Sequence, residues 1–262
     1  MRLAAEKIIL PLVAFAGLIG LWQLVASLGI YEPYLFPPPL RVAGGMLETA
    51  STGELGTYIL VSLFRFLAGY LSAALLAIPL GLVFGWYGRL WTAFDPLVQV
   101  LRPISPIAWF PLIGLWFGTG DAPAIVIIFI AAFYPILLST VAAVKNVDPV
   151  YLKVAQNFGT PERDILRKVV IPAAFPYITI GLHIALGSAW VFLVAGEMMG
   201  VRSGLGFLIV DARNQLRTEL VIVGMLVIGV LGLCIDRLIG YLERKLNTRW
   251  GLGSRYQAGE QA

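Results

Sequence analysis

The chain has 262 residues, of which 59% are hydrophobic and only 13% are charged, and its mean hydropathy is +0.85. This composition excludes an ordinary soluble domain, which exposes far more charge. The formal net charge of +4 does not by itself indicate a nucleic-acid partner, because Lys and Arg in membrane proteins mark cytoplasmic loops. A single cysteine, Cys234, excludes an internal disulfide, and a single histidine, His183, argues against a histidine-based metal site.

Six apolar segments of membrane-spanning length recur along the chain. We predict an all-α integral membrane protein, because helices satisfy their own backbone hydrogen bonds in lipid. The first run is longer than a signal-peptide core, so a retained span is favoured over a cleaved leader. We expect one membrane domain over residues 1–262, with its core at 58–241. The predicted spans are Ile8–Leu28, Tyr58–Trp86, Trp91–Phe117, Ala122–Val144, Ala174–Met199 and Leu220–Tyr241.

The third predicted span is the least regular of the six. Pro103, Pro106 and Pro111 interrupt it, and Arg102 lies inside it. Proline removes a backbone donor and breaks a helix interior. We therefore predict a broken or partly re-entrant passage, which membrane proteins tolerate where the backbone lines a cavity.

Basic residues fall mostly on one side of these spans. With the N-terminus inside, thirteen Lys and Arg residues lie in cytoplasmic segments, and Arg41, Arg202, Arg213 and Arg217 lie outside. This asymmetry predicts that both termini are cytoplasmic. The external segment, Gly29–Gly56, contains three successive prolines at 37–39, which predict a rigid extended stretch.

Residues 145–172 form a charged segment between two apolar blocks, and we predict two short cytoplasmic helices joined by a sharp turn. Asp148 and Pro149 are typical of the cap and the first turn of a helix. Because its apolar positions recur every four residues, this helix carries one apolar stripe. The stripe consists of Val150, Val154 and Phe158.

The second half of this segment contains the turn and the return helix. Gly159 stands where a left-handed residue ends the first helix, and Thr160-Pro161-Glu162 restarts the pattern. Pro172 either stops the second helix or kinks its passage into the next apolar block. A hairpin of this kind is suited to docking a soluble partner, and an amphipathic helix lying on the membrane surface is the plainer alternative.

The segment resembles the cytoplasmic EAA loop of binding-protein-dependent ABC importer permeases. That loop reads Glu-Ala-Ala, three residues, Gly, nine residues, and an apolar-x-apolar-Pro ending. Here Lys153, Val154 and Ala155 hold the first three places, Gly159 is the glycine and Pro172 ends the pattern. The spacing is complete, but Lys153 replaces the acid, so the resemblance implies the docking geometry without a salt bridge from the first position.

Other tracts resemble the nitrate/sulfonate/taurine/bicarbonate branch of this family. They are Leu101–Pro111, Ala173–Tyr177, Ala195–Gly200 and Ser203–Gly206. The resemblance implies a type I ABC importer permease fold with a coupling loop at 145–172, in a bacterial inner membrane. It also implies three kinds of protein partner: a second permease copy that makes a homodimer, two cytoplasmic ATPase subunits, and an external or periplasmic substrate-binding protein.

The same resemblance implies that ATP and magnesium are bound by the ATPase subunits. The chain has no G-x-x-x-x-G-K-[ST] phosphate loop, so we expect no cofactor in this chain. The coupling residues implied by the loop and its stripe are Val150, Lys153, Val154, Ala155, Phe158, Gly159 and Pro172.

Charged residues inside spans are functional candidates, because burying a charge in lipid is costly. Arg102 is interpreted either as a group that attracts an anion into the pathway or as half of a structural ion pair. Glu197 is interpreted as a partner of Arg102 or Arg65, or as an outer gate. Arg65 itself is interpreted as a snorkelling or pairing residue. The candidates for the translocation pathway are Arg102, Trp109, Trp190 and Glu197.

We predict the permease of an ATP-driven importer that moves a small anion, namely nitrate, bicarbonate, taurine or an alkanesulfonate, by alternating access. An ABC permease for another cargo, such as a pyrimidine or a vitamin precursor, is the alternative within the family. A stand-alone secondary transporter would be expected to contain inverted repeats, and none is evident. An enzyme has no candidate here, because the sequence offers no catalytic constellation and no metal cluster.

Overall fold

The computed structural model describes residues 2–249, with the side chains of residues 9–241 and 245. Within this range every regular element is a helix, and two short turns at Pro106–Trp109 (3-10) and Leu166–Val170 (π) join longer helices. The α-helices are α1 (Arg2–Ser27), α2 (Pro39–Ser51), α3 (Glu54–Trp86), α4 (Gly88–Leu101), α5 (Phe110–Phe117), α6 (Asp121–Lys145), α7 (Pro149–Asn157), α8 (Glu162–Ile165), α9 (Ile171–Gly200), α10 (Leu205–Asn214) and α11 (Thr218–Arg249).

The predicted number of spans is confirmed when one bent pair of helices counts as a single passage. Each predicted range overlaps its observed counterpart over most of its length. Five described helices are long and apolar enough to cross a membrane, and α4 with the segment Pro106–Phe117 forms the bent pair. The five are Ile9–Ser27, Glu54–Trp86, Asp121–Lys145, Glu162–Gly200 and Thr218–Tyr241.

The bent passage is broken as predicted. Its two halves meet at an angle of 85° after α4 ends at Leu101. The 3-10 turn starts at Pro106, where the missing N–H of proline costs nothing in a first turn. At the far end, α5 is followed by Gly118 and Gly120, whose φ angles of 71° and 129° favour glycine. The proline-rich sequence thus ends one helix and starts another within a single apolar run.

The segment predicted to be external, residues 29–56, departs from the prediction, because most of it is helical. Pro38 is extended, with φ −67° and ψ 155°, but Pro39 begins α2. Proline is well suited to a first helical turn, so a proline run ends the extended stretch as readily as it continues it. Helix α2 buries Val42, Gly45 and Thr49 on one side. The expectation of a rigid extended stretch is therefore wrong beyond Pro38, and α10 was not predicted at all.

Contacts group the chain into two compact units, residues 1–61 with 203–229 and residues 62–202 with 230–262. Because this grouping describes only how the chain packs, it does not test the number of domains. The prediction of one membrane domain over 1–262 stays a prediction. Residues 250–262, which include Arg255 of the predicted cytoplasmic basic residues, lie outside the described residues.

In the first unit, Arg217 fastens α2 to the start of α11. Its guanidinium donates to both carboxylate oxygens of Glu48, at 3.0 and 2.7 Å, and through Nε to Glu219 at 3.1 Å. The hydrogen bonds and the positive charge of Arg217 lower the pKa of the Glu48 carboxyl. The hydrogen bond to Glu48 in turn raises the pKa of Arg217. Such a paired charge cluster joins elements that are far apart in the sequence.

In the second unit, glycines bring α3 close to α6. A Cβ built on Gly81 lies 2.6 Å from Thr140 Cβ, and one built on Gly85 lies 2.5 Å from Val144 Cβ. Gly69, which lies nearer the start of α3, approaches Ile128 in the same way. Small residues of this kind let membrane helices pack backbone to backbone. Helix α6 therefore lies against α3 along most of its length.

Gly81→Ala is expected to lower the stability of the protein by about 1–3 kcal/mol, because the new methyl group overlaps the side chain of Thr140. Thermal unfolding of the purified protein in lipid nanodiscs measures the change in Tm. Gly56→Ala on the same helix is the control, because outside its own turn of helix a Cβ there meets no atom of the described residues within 4 Å. Equal Tm values for the two variants would contradict the packing described for α3 and α6.

Candidate functional site

The hairpin between α6 and α9 has well-defined caps at both ends of α7. The Asp148 carboxylate accepts a hydrogen bond from the Val150 N–H at 2.8 Å, which satisfies one of the free donors of the first turn. At the other end the Gly159 N–H donates to the Gln156 carbonyl at 2.9 Å, and the Thr160 N–H donates to the Ala155 carbonyl at 3.1 Å. This pair of bonds is a Schellman motif, and Gly159 has the left-handed φ of 69° that it requires.

The predicted apolar stripe lies on the exposed side of α7. Val150 is 59% exposed, Val154 is 48% exposed and Phe158 is 83% exposed, and Lys153 is also exposed. No other described residue covers Phe158, which is a large apolar side chain next to the turn. Apolar side chains grouped in this way on a short helix form a surface suited to a partner.

The opposite side of α7 packs onto the second unit. Leu152 and Ala155 contact a buried cluster that includes Val147, Ile165 and Val170. Partly buried residues of α3, among them Trp86, also pack against this cluster. The Trp86 indole N–H donates to the Glu162 carboxylate at 3.0 Å, so the return helix is held at the end of α3. The hairpin is therefore attached through its inner face, and its outer face is left open.

Pro172 does not stop the return helix. Helix α8 continues through the π turn Leu166–Val170 into α9, and Pro172 lies in the first turn of α9. In an α-helix the ring of Pro172 would clash with the carbonyl of Lys168, and the wider π turn just before it gives that carbonyl room. Of the two alternatives left by the sequence, the helix passes on into the next apolar block, and it does so through a π turn.

An open-sided cavity of about 500 Å³ lies in the second unit, where the bent passage meets α6 and α9. Four of its lining residues are polar, and the other nine are apolar. The break after α4 supplies Arg102, Ile104 and Pro106. Helix α6 supplies Ile130, Ala131, Tyr134, Pro135, Leu138, Ser139 and Ala142, and α9 supplies Ile184, Ser188 and Phe192.

Arg102 is the charged residue of this lining. Among the described residues its guanidinium makes no hydrogen bond and no ion pair, and no Asp or Glu lines the cavity. Tyr134 marks the depth: at a rise of about 1.5 Å per residue it lies roughly 20 Å from Asp121 and roughly 17 Å from Lys145 along α6. The lining on α6 therefore runs from Ile130, near the middle of the helix, to Ala142, about one turn before Lys145, and Arg102 itself is exposed.

Glu197 is paired with Arg65 and not with Arg102. The Arg65 Nη1 donates to Glu197 Oε1 at 2.8 Å, and the Ser62 hydroxyl lies 2.8 and 2.9 Å from the two oxygens of the same carboxylate. Arg65 and Glu197 are each 1% exposed. The Arg65 Nε also donates to Asp121 Oδ1 at 2.8 Å, which joins the start of α6 to the pair.

The two tryptophans of the predicted pathway do not line the cavity. Trp190 is buried and packs edge-on against Phe66, with 5.2 Å between ring centroids. The indole N–H of Trp109 is buried and has no hydrogen-bond partner within the described part of the chain. Of the four predicted pathway residues, only Arg102 reaches the cavity, and the assignment of the other three to a pathway stays a prediction.

Sequence reasoning missed the hydroxyl groups that share the cavity with Arg102. Ser139 and Ser188 are 49 positions apart on α6 and α9, and nothing in the sequence connects them. It also missed Asp121 and Ser62 as partners of the buried charges. An acidic first residue is common in helices, so Asp121 carried no signal of its own.

Taken together, these elements define a class of membrane protein. The chain has the fold of a type I ABC importer permease. It superposes on the permease chain of a MetNI methionine ABC transporter structure with a TM-score of 0.55 and 18% identity, over 72% of this chain and 98% of that chain. That comparison concerns the arrangement of helices.

Comparison of sequences places the chain within this class. Residues 42–248 match the family described as the binding-protein-dependent transport system inner membrane component. The chain is 33% identical to the taurine transport system permease protein TauC of Escherichia coli, over 94% of this chain and 91% of that protein. It is 34% identical to the nitrate import permease protein NrtB of Synechocystis, over 91% and 89%. The chain belongs to this family and is a permease subunit of an ABC importer.

Glu197→Ala is expected to lower the stability by about 3–5 kcal/mol, because it leaves Arg65 buried beside a single remaining carboxylate. Thermal unfolding in nanodiscs gives the change in Tm. Asp121→Asn is the milder variant: its amide oxygen still accepts from Arg65 and Glu197 still neutralises Arg65, so the loss is expected to be about 1 kcal/mol. Similar losses for the two variants would show that the buried pair does not hold α3 and α9 together.

Proposed function

We propose that this chain carries a small anion, of the nitrate, bicarbonate, taurine or alkanesulfonate class, into the cytoplasm as the permease of an ATP-driven importer. The observation that carries the proposal is Arg102, an exposed arginine without a charged partner among the described residues, at a cavity with no carboxylate in its lining. A positive charge in a lining without carboxylates favours an anion over a cation or a neutral cargo. The cargoes named for TauC and NrtB, taurine and nitrate, support the same class.

We further propose that the hairpin is the docking site for a separate ATPase subunit, which binds ATP and magnesium. The exposed row of Val150, Val154 and Phe158 provides apolar anchors for a groove on that subunit. Two copies of this chain form a homodimer with two ATPase subunits, and an external binding protein delivers the cargo. Both termini and the hairpin are cytoplasmic, in a bacterial inner membrane, as the distribution of basic residues predicts.

In this proposal the hairpin transmits the movement of the ATPase to the cavity. The hairpin is the connection between α6 and α9, and these two helices supply most of the cavity lining. Its inner face is packed on the same unit through Leu152 and Ala155, so a displacement of α7 moves the ends of α6 and α9. Alternating access then follows when α6 and α9 change their relative positions around Arg102.

Gly159→Val is expected to reduce cargo uptake at least tenfold while the protein still inserts in the membrane. A β-branched residue disfavours the left-handed turn by roughly 1–2 kcal/mol and so misplaces Phe158. Uptake into proteoliposomes and the rate of ATP hydrolysis are measured on the same samples. Gly159→Asn is the control, because asparagine tolerates this φ, and among the described residues no atom beyond the two chain neighbours lies within 4 Å of a Cβ at this position. Uptake by the valine variant equal to that of the asparagine variant would remove the turn from the coupling mechanism.

The proposed function is tested by the ATPase activity of this chain, co-purified with its ATPase subunit in nanodiscs. Binding protein loaded in turn with nitrate, bicarbonate, taurine or an alkanesulfonate is added, and empty binding protein is the control. We expect one loaded form to stimulate hydrolysis several-fold over the empty form. If a folded complex responds to none of the four anions, or responds to a neutral cargo, the anion assignment is wrong.

A further inference from the structure

We propose that the cavity at the break after α4 is a binding site of the permease itself, and that its ligand is an organic oxyanion with an apolar tail. An alkanesulfonate is the type of ligand meant. The inference rests on the proposed function and narrows it, because it separates organic anions from bare inorganic ions such as nitrate. It also assigns recognition to this chain, in addition to the external binding protein.

The charged end of the ligand is specified by the polar part of the lining. Arg102 presents a planar guanidinium, which matches an oxyanion with two parallel hydrogen bonds. Ser139 and Ser188 add hydroxyl groups from α6 and α9. Because the lining contains no acidic residue, nothing in the described structure competes with an anion for Arg102. The ligand must therefore bring the negative charge.

The tail of the ligand is specified by the rest of the lining. Nine of the thirteen lining residues are apolar, among them Ile130, Leu138 and Phe192. A volume of about 500 Å³ lies within the range of roughly 300–1,000 Å³ that is typical of sites for small organic ligands. A bare nitrate ion would leave most of this apolar wall in contact with water, whereas an alkyl chain covers it.

The different surroundings of the two arginines in this unit support a ligand site at the cavity. Arg102 follows the last turn of α4, and the lining on α6 is centred near the middle of that span. Arg65, which is 1% exposed in the same unit, is neutralised by Glu197, whereas Arg102 is exposed at the cavity and has no carboxylate partner among the described residues. The contrast between the two arginines indicates that the partner of Arg102 comes from outside the chain.

The experiment is equilibrium binding of radiolabelled butanesulfonate to the permease–ATPase complex in phosphatidylcholine nanodiscs, without binding protein. We expect saturable binding that weakens at least tenfold in Arg102→Gln and is partly recovered in Arg102→Lys. Arg89→Gln, also on α4 but outside the lining, is the matched control and is expected to bind as the wild type does. If Arg102→Gln does not assemble with the ATPase, the lysine variant and the competition series below decide the question.

A competition series tests the tail. Affinity is expected to rise about two- to fourfold for each methylene from methanesulfonate to butanesulfonate, as burial of alkyl groups predicts. Nitrate is expected to compete at least a hundredfold more weakly than butanesulfonate. Ala142→Leu fills part of the lining and is expected to weaken butanesulfonate more than methanesulfonate. Equal competition by nitrate, or no dependence on chain length, would overturn the organic-anion assignment.

Two further results would overturn the proposal in distinct ways. Loss of binding in nanodiscs that contain phosphatidylglycerol would mean that the cavity takes an anionic lipid headgroup and not a cargo. Stimulation of the ATPase by a loaded binding protein, with no binding of any sulfonate to the permease, would leave the proposed function in place and remove this site. Absence of stimulation together with Arg102-dependent binding would instead count against the proposed function.

Discussion

The close contact of α6 with its neighbours is the feature on which the rest of the second unit depends. Glycines on α3 and α9 let both helices approach α6 backbone to backbone: Gly81 meets Thr140, and a Cβ on Gly196 would lie 3.3 Å from the Cα of Ala124. Lipid offers no hydrophobic force between helices, so this packing must come from shape. The hairpin joins the same two helices, α6 and α9, whose middle parts line the cavity, and the buried ion pair joins their other ends to α3. A loss of these contacts would therefore disturb all three features together.

Two arginines in this unit illustrate how a membrane protein uses charge. Arg65 is buried between the carboxylates of Glu197 and Asp121 and fixes α3 to α9 and α6. Arg102 is exposed at the cavity and has no such partner among the described residues. The cost of a charge in lipid is met within the chain in the first case. The charge of Arg102 remains available to a ligand, and this is the physical basis of the anion proposal.

The two faces of α7 in the hairpin differ in a similar way: one packs against the protein and the other is exposed. Leu152 and Ala155 attach α7 to the buried cluster, whereas Val150, Val154 and Phe158 remain exposed. The Schellman turn at Gly159 ends α7 and so determines where Phe158, the residue just before the turn, lies. One face is therefore bound to the helices that line the cavity, and the other is left uncovered by the described residues.

The sequence alone determined the helical membrane class, the six passages, the break in the third, and the cap and turn of the hairpin. Each of these follows from local chemistry: apolar length, proline, and the left-handed preference of glycine. It misread the segment after Pro38, since a proline run also starts helices, and it left open whether Arg65 or Arg102 pairs with Glu197. Only the tertiary structure decided that pairing and placed Ser139, Ser188 and Arg102 at one cavity. These residues lie 37 to 135 positions apart, and how the helices that carry them pack is recorded in no local pattern of the chain.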